Sequence, residues 1–199
     1  AIARFHLALG TPVEPALVDR IIGMRVRDQM AVVADLTGHD ADELLVGRER
    51  RFWELIRATF PAMPGAATAI RRLHSAGFTI GVATSGTSEY VDHVLTELGG
   101  RDLISALPCG DDVSQPKHDP ECYLRTADAL GISPSSCAAI EDSELGARSA
   151  AAAGMQVIGL DRSGADELPS ATRRFGDMRS VADFLLAQRH RGDGRVAIT

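Results

Sequence analysis

Three short stretches of this chain combine residue types and spacing that could do chemistry. In the first, the apolar run Cys137-Ala138-Ala139-Ile140 ends abruptly in Glu141-Asp142 and then Ser143. Adjacent carboxylates repel, and a hard divalent cation relieves that repulsion, so magnesium held by Glu141 and Asp142 is the expectation. Acids at a helix start also complement its dipole, which is the plainer account of the pair. In the second, Phe78-Thr79-Ile80-Gly81-Val82-Ala83 stops at Thr84-Ser85-Gly86. A hydroxyl followed by backbone amides at the mouth of a helix suits phosphate oxygens, although helix capping by Thr87 or Ser88 also explains hydroxyls there. The third is Lys117, the one lysine beside twenty arginines. A compact ammonium on a flexible stem can neutralise a phosphate or a carboxylate where a planar guanidinium does not fit; a surviving surface lysine is the alternative.

Positioning these groups is the task of the surrounding elements. Residues 1 to 60 read as helices: Ile2, Phe5, His6 and Leu9 in a first, Glu14 to Ile22 a second, Val26 to Leu36 a third ending at Gly38, and about Ala41 to Phe60 a fourth. The fourth turns Leu44, Leu45, Phe52, Trp53, Leu55 and Ile56 to a core, with Gly47 as a weak point and Arg48, Arg50 and Arg51 on a solvated face. Pro61-Ala62-Met63-Pro64-Gly65 then marks a border. Beyond it strand and helix alternate to Leu160: Ala66 to Ser75, Phe78 to Ala83, a helix to Leu98, a short apolar segment Leu103 to Leu107, a helix opened by Asp119-Pro120-Glu121 and ending at Gly131, the Cys137 strand, a helix from Ser143 to Ala153, and Met155 to Leu160. Such alternation predicts an α/β fold, a Rossmann-like parallel sheet with helices on both faces. The expected organisation is a helical-bundle cap over 1–63, an α/β core over 64–188 and a polar tail over 189–199. Within these, 161–178 reads as loop, a last helix runs from Ser180 to Ala187, and the tail is expected to fray. Its Arg191-Gly192-Asp193 is taken as chance.

Composition narrows the class of partner. Hydrophobic residues make up 45% and charged residues 24% of 199, the balance of an ordinary globular protein. No apolar run reaches spanning length. A net charge of -6 and a pI near 5.5 argue against nucleic acid or an anionic membrane and for a small ligand. Cys109, Cys122 and Cys137 are odd in number and lack C-x-x-C spacing, so neither a disulfide framework nor a zinc site is expected, and the setting reads as cytoplasmic. The opening Ala1-Ile2-Ala3-Arg4 has no targeting character.

The order of hydroxyl, lysine and acid pair, each near the end of a successive βα unit, resembles the haloacid dehalogenase superfamily of aspartate-nucleophile phosphotransferases. The resemblance runs from about residue 1 to residue 160 and is greatest for the β-phosphoglucomutase and phosphoglycolate-phosphatase branch. Ala83-Thr84-Ser85 is similar to its second motif, Lys117-His118-Asp119-Pro120-Glu121-Cys122-Tyr123 to its third, and Ile140-Glu141-Asp142-Ser143 to its fourth. It implies that Thr84, Ser85 and Gly86 hold the transferring phosphoryl group, that Lys117 balances its charge, and that Asp142 ligates magnesium with Glu141 in or beside the first shell. Arg25, in Gly23-Met24-Arg25-Val26-Arg27, stands where sugar-phosphate relatives contact substrate, although a solvated helix-start arginine is the simpler reading. His118 departs from the proline usual after the motif lysine. A larger departure concerns the first motif, Asp-x-Asp at the end of a strand before the cap, which supplies the nucleophile and the general acid/base. No strand is legible ahead of the cap, so the first core strand is expected to be missing; Asp40-Ala41-Asp42 has the spacing but opens a helix.

The expected function is therefore a magnesium-dependent phosphatase working through an aspartyl-phosphate on a small phosphorylated metabolite, a sugar phosphate, as a monomer. A β-phosphoglucomutase-type mutase is the alternative within the class. Metal-free dehalogenation fits poorly with a pair of gathered acids. A non-catalytic phosphate sensor, with the cradle kept and the nucleophile lost, is the alternative outside it.

Overall fold

The structure, a computed structural model, describes residues 17, 21, 24–58, 63–110, 112–115, 117, 119–161, 168–189 and 197–198. The chain forms two compact units, Ala1–Pro61 and Ala62–Thr199.

In the first unit α1 (Val26–Thr37) ends where Gly38, at φ 73, turns its N–H back to the Ala34 carbonyl. Next, Asp40 Oδ1 accepts the N–H groups of Asp42 and Glu43, both at 3.0 Å, and α2 (Ala41–Ala58) begins. Asp40-Ala41-Asp42 is thus a helix start, as its sequence context implied. Met30, Val33 and Leu44 form the apolar contact between α1 and α2. The helix expected over Ile2 to Leu9 lies outside the described residues, and of the one over Glu14 to Ile22 only Leu17 and Ile21 are described, both helical. Arg48 departs from the solvated face expected of it. Its side chain is 16% exposed, lies 4.5 Å over the Phe52 ring and pairs with Glu49, because a guanidinium on a long stem gains more from an aromatic face four residues on than from water.

The second unit begins with α3 (Ala66–Ser75), followed by β1 (Thr79–Ile80), α4 (Ser88–Glu97), α5 (Glu121–Leu130), β2 (Cys137–Glu141), α6 (Glu144–Ala152), β3 (Gln156–Leu160), β4 (Arg173–Phe175), α7 (Met178–Arg189) and β5 (Ala197–Ile198). The sheet order is β1-β5-β2-β3-β4, parallel throughout. Period-two alternation along β2 and β3 sorts the core. Ala138, Ile158 and Leu160 face a cluster with Leu73 of α3, Val91 and Leu95 of α4, and Val181 and Leu185 of α7. Cys137, Ala139 and Val157 face the other way, onto Tyr123 and Ala127 of α5 and Ala147 and Ala150 of α6. Helices therefore cover both faces, as alternating elements require. By the same count Glu141 belongs to the α5/α6 face.

Three expectations need correction. The run expected as a strand from Phe78 to Ala83 is β1 for two residues only. Beyond Ile80 its backbone pairs instead with the segment after α4: Ser105 N–H donates to Ile80 O at 2.8 Å, Val82 N–H to Ala106 O at 2.9 Å and Thr84 N–H to Pro108 O at 3.3 Å. The loop expected over 161–178 contains β4, an edge strand of three residues, two of them arginines, whose exposure erases any apolar pattern. The polar tail expected over 189–199 contains β5, seated between β1 and β2. Two apolar residues, Ala197 and Ile198, are too few to announce a strand; pairing on both sides is what makes them one.

Candidate active site

The site gathers at the carboxyl edge of the sheet, where each strand delivers its last residues. Two loops meet there first. Thr84 Oγ1 accepts the Gly86 N–H at 3.0 Å, folding Thr84-Ser85-Gly86 into a tight hydroxyl turn. Gly110 donates its N–H to Gly86 O at 2.9 Å, and a Cβ on Gly110 would stand 2.5 Å from Ser85 O, so only glycine permits this approach. Thr87 then caps α4 by accepting the Tyr90 N–H, at 3.4 Å. Capping therefore explains Thr87 but leaves Thr84 with a different task.

Lys117 is far from the surface residue that one reading allowed. Its ammonium donates to Glu141 Oε1 at 2.6 Å, with both side chains 9% exposed, and to Tyr123 Oη at 3.1 Å. It also lies 5.1 Å from the centre of the Tyr123 ring. The Tyr123 hydroxyl in turn donates to Glu141 Oε1. Burial, and then the Glu141 charge, push the phenol well above its ordinary range, so it keeps its proton and stays a donor. Glu141 Oε2 receives a weaker contact from the Ser143 hydroxyl, at 3.4 Å, while Ser143 caps α6 by accepting the Gly146 N–H at 3.2 Å. The Glu141 carboxylate is packed against Gly146 so closely that a Cβ there would collide with it. Asp142, the next residue, is exposed past the end of β2.

α5 binds these parts together. Cys122 Sγ approaches Thr84 O at 3.9 Å and Pro108 O at 3.7 Å, and its neighbour Tyr123 holds Lys117 and Glu141. One turn of helix therefore links the hydroxyl loop to the lysine and the acids. Burial raises the Cys122 thiol to about 11 despite the nearby Lys117 charge, so it is no thiolate nucleophile near neutrality. Asp119 Oδ1 accepts the Glu121 N–H at 2.9 Å, and Ser149 of α6 donates to Asp119 O at 2.5 Å. Glu121 does more than offset a helix dipole. Its Oε2 accepts both backbone amides of Ser114 and Gln115, at 3.0 and 2.8 Å, and the Ser114 hydroxyl at 2.7 Å, which fixes the loop leading to Lys117. Those hydrogen bonds, the Gln115 amide first, hold its carboxyl down at about 2.

Of the residues singled out in the sequence, Thr84, Ser85, Gly86, Lys117, Glu141 and Asp142 all belong to the second unit and cluster at this edge. Arg25 belongs to the first unit, where its guanidinium grips Asp28 through Nε at 2.7 Å and Nη2 at 3.3 Å. His118 lies outside the described residues. Sequence reasoning gave no role to Tyr123, Gly110 or Gly146. Gly146 did carry a signal: glycine inside an alanine-rich helix costs about 1 kcal/mol relative to alanine and calls for a close approach by something else.

Magnesium keeps several waters and takes one or two carboxylates plus phosphate oxygens. Exposed Asp142 meets that need, while Glu141 has Oε1 engaged by Lys117 and Tyr123 and offers at most Oε2. No cluster of three or more His, Cys, Asp or Glu able to hold a metal occurs among the described residues. No described helix is long and apolar enough to cross a membrane.

Comparison with known proteins shows the family. The haloacid dehalogenase-like hydrolase family matches residues 9–154, and the chain belongs to that family. It is 33% identical over 165 residues to validoxylamine A 7'-phosphate phosphatase of Streptomyces hygroscopicus subsp. limoneus, covering 79% of this chain and 75% of that protein. It is 31% identical over 146 residues to protein CbbY of Rhodobacter capsulatus, covering 70% of this chain and 64% of that one. Among solved structures, β-phosphoglucomutase from Clostridium difficile superposes with a TM-score of 0.80 at 16% identity, over 94% of this chain and 86% of that one. The chain is thus of the branch that contains phosphatases and phosphomutases.

Proposed function

We propose that this chain carries the phosphoryl-binding half of a magnesium-dependent phosphatase acting on a small phosphorylated metabolite, a sugar phosphate, through an aspartyl-phosphate. The observation that carries the reading is the buried Lys117–Glu141 pair at 2.6 Å, held by Tyr123 beside exposed Asp142 and joined through α5 to the Thr84 loop. A buried ion pair costs desolvation, and it is retained where its charge has work at a ligand.

In this reading the Thr84 hydroxyl and the Ser85 amide take phosphoryl oxygens. The Gly86 amide, already engaged by Thr84 Oγ1, shapes the turn. Lys117 offsets the negative charge of the phosphoryl group, and Glu141 and Tyr123 fix where its ammonium stands. Asp142 would hold magnesium, whose chemistry is to balance charge on the phosphoryl oxygens. Catalysis of this kind is positioning plus electrostatic stabilisation. The attacking aspartate is not among the site's described residues, and the Asp-x-Asp at Asp40, in the first unit, caps α2. Residues 1–199 by themselves are accordingly expected to hydrolyse phosphoesters no faster than background. The name of the phosphatase relative supports hydrolysis of a phosphorylated small molecule, and that of the phosphoglucomutase supports a phosphomutase as the alternative.

The test is an assay of the natural gene product containing this chain, with magnesium, against sugar phosphates and phosphoglycolate. Turnover lost in Lys117→Ala and in Asp142→Asn supports the reading. Ligand binding without turnover by that product would replace it with the sensor.

A further inference from the structure

Lys117 already balances the charge of Glu141, so the Tyr123 hydroxyl at the same carboxylate oxygen has another task, and that task is geometric. An ionised carboxylate offers about four acceptor sites, two on each oxygen. Glu141 Oε1 accepts the Lys117 ammonium at 2.6 Å and the Tyr123 hydroxyl besides, so both of its sites are occupied. Lys117 alone would occupy one. The ammonium also donates to Tyr123 Oη at 3.1 Å, which closes the three groups into a ring of contacts. Nor can the carboxylate turn to release that oxygen. It is buried, packed against Gly146 where even a Cβ would collide with it, and its other oxygen, Oε2, meets the Ser143 hydroxyl at 3.4 Å. Glu141 therefore has Oε2 alone to give.

The number of oxygens on offer decides which cation is served. Magnesium demands a near-ideal octahedron, whereas calcium gathers roughly six to eight oxygens in a looser shell and takes carboxylates through one oxygen or both. A carboxylate with a single oxygen to offer suits the first ion and denies the second one of its usual modes. The acid pair by itself makes no such choice, since adjacent carboxylates attract any hard divalent cation. The choice is made from behind the carboxylate, by a hydroxyl that α5 brings to the end of β2.

We propose that Tyr123 is a positioning residue that sets cation selectivity: by occupying the second acceptor site of Glu141 Oε1 it holds Glu141 to one oxygen next to Asp142 and tunes this edge to magnesium over calcium. The inference rests on the reading of the edge as a magnesium site and adds the residue that selects the ion. Without the hydroxyl, in Tyr123→Phe, Oε1 regains an acceptor site and both carboxylate oxygens can serve one large cation.

The test is calorimetric titration of the natural gene product containing this chain with magnesium chloride and, separately, with calcium chloride, wild type beside Tyr123→Phe. The wild type is expected to bind magnesium more tightly than calcium, and Tyr123→Phe to narrow the ratio of the two Kd values by about tenfold, the scale of effect when a group behind a metal ligand is removed. A purely structural loss weakens both ions alike, so an unchanged ratio, or a wild type that prefers calcium, overturns the proposal and leaves the cation site standing. Binding of neither ion by the wild type overturns both the proposal and the reading on which it rests. Infrared difference spectra of the wild type, with and without each cation, cover the case in which Tyr123→Phe does not fold. The Glu141 carboxylate band, identified by its loss in Glu141→Gln, is expected to show single-oxygen coordination with both ions; two-oxygen coordination of calcium overturns the proposal.

Discussion

Tyr123 shows how a single hydroxyl can matter more than its count of bonds. Removing it in Tyr123→Phe leaves the shape of the core but deprives the buried Glu141 carboxylate of a donor, an omission that costs about 1–3 kcal/mol. Urea unfolding of Tyr123→Phe should show that loss. Lys117→Ala should be worse, about 3–5 kcal/mol, because it strands a buried carboxylate without its counter-charge. Substituting both ends together with the hydroxyl they share, Lys117→Met and Glu141→Leu in Tyr123→Phe, should recover most of the stability and none of the site's chemistry, which separates structural from chemical roles. Gly146→Ala tests the same carboxylate from its other side. Alanine favours the helix by about 1 kcal/mol, yet its Cβ collides with Glu141, so the substitution should destabilise instead of stabilising. A gain in melting temperature for Gly146→Ala would show that Glu141 can move away freely.

The elements place these residues, and here the sequence was most legible where periodicity was long. α1, α3 and α5 fall where their apolar spacing and terminal glycines put them, α2 begins at Ala41 as its spacing implied, and Ser143 caps α6 as its position implied. β4 and β5 were illegible because two or three residues carry no period; they are strands only because a neighbour pairs with them. The loop before Lys117 was also hidden, since its anchor, Glu121, looked like a routine first-turn acid. That anchor has a pH signature. The Glu121 carboxyl is held down from 4.5 to about 2 by the Gln115 and Ser114 donors, so its contribution is complete above about pH 4.5 and is lost as pH falls through about 2. Glu121→Gln should flatten that part of the stability profile. Proteolysis or exchange at Ser114 and Gln115 should rise in the variant at pH 7, where the wild-type carboxylate is ionised.

At the scale of the molecule, the chain forms two units: Ala1–Pro61, whose described elements are helices, and Ala62–Thr199, which carries the sheet and holds every residue of the candidate site except Arg25. The site was legible because its three groups differ in kind from their surroundings: a hydroxyl after an apolar run, one lysine among arginines, and two acids at a strand end. What joins them was not legible, because Tyr123, Gly110 and Gly146 act through contacts between elements distant in sequence. The substrate is likewise unwritten at this edge, since Arg25 grips Asp28 within its own unit and specificity rests on a few contacts of this sort.

The most direct test of phosphoryl transfer is the rate of magnesium-dependent phosphate release from a panel of sugar phosphates by the natural gene product, beside Asp142→Asn and Lys117→Ala. Turnover by the wild type is expected, with a fall of at least about a hundredfold in each variant, consistent with loss of a group that stabilises transition-state charge, and no turnover in excess chelator. Undiminished turnover by either variant, or full activity without a divalent cation, would contradict it.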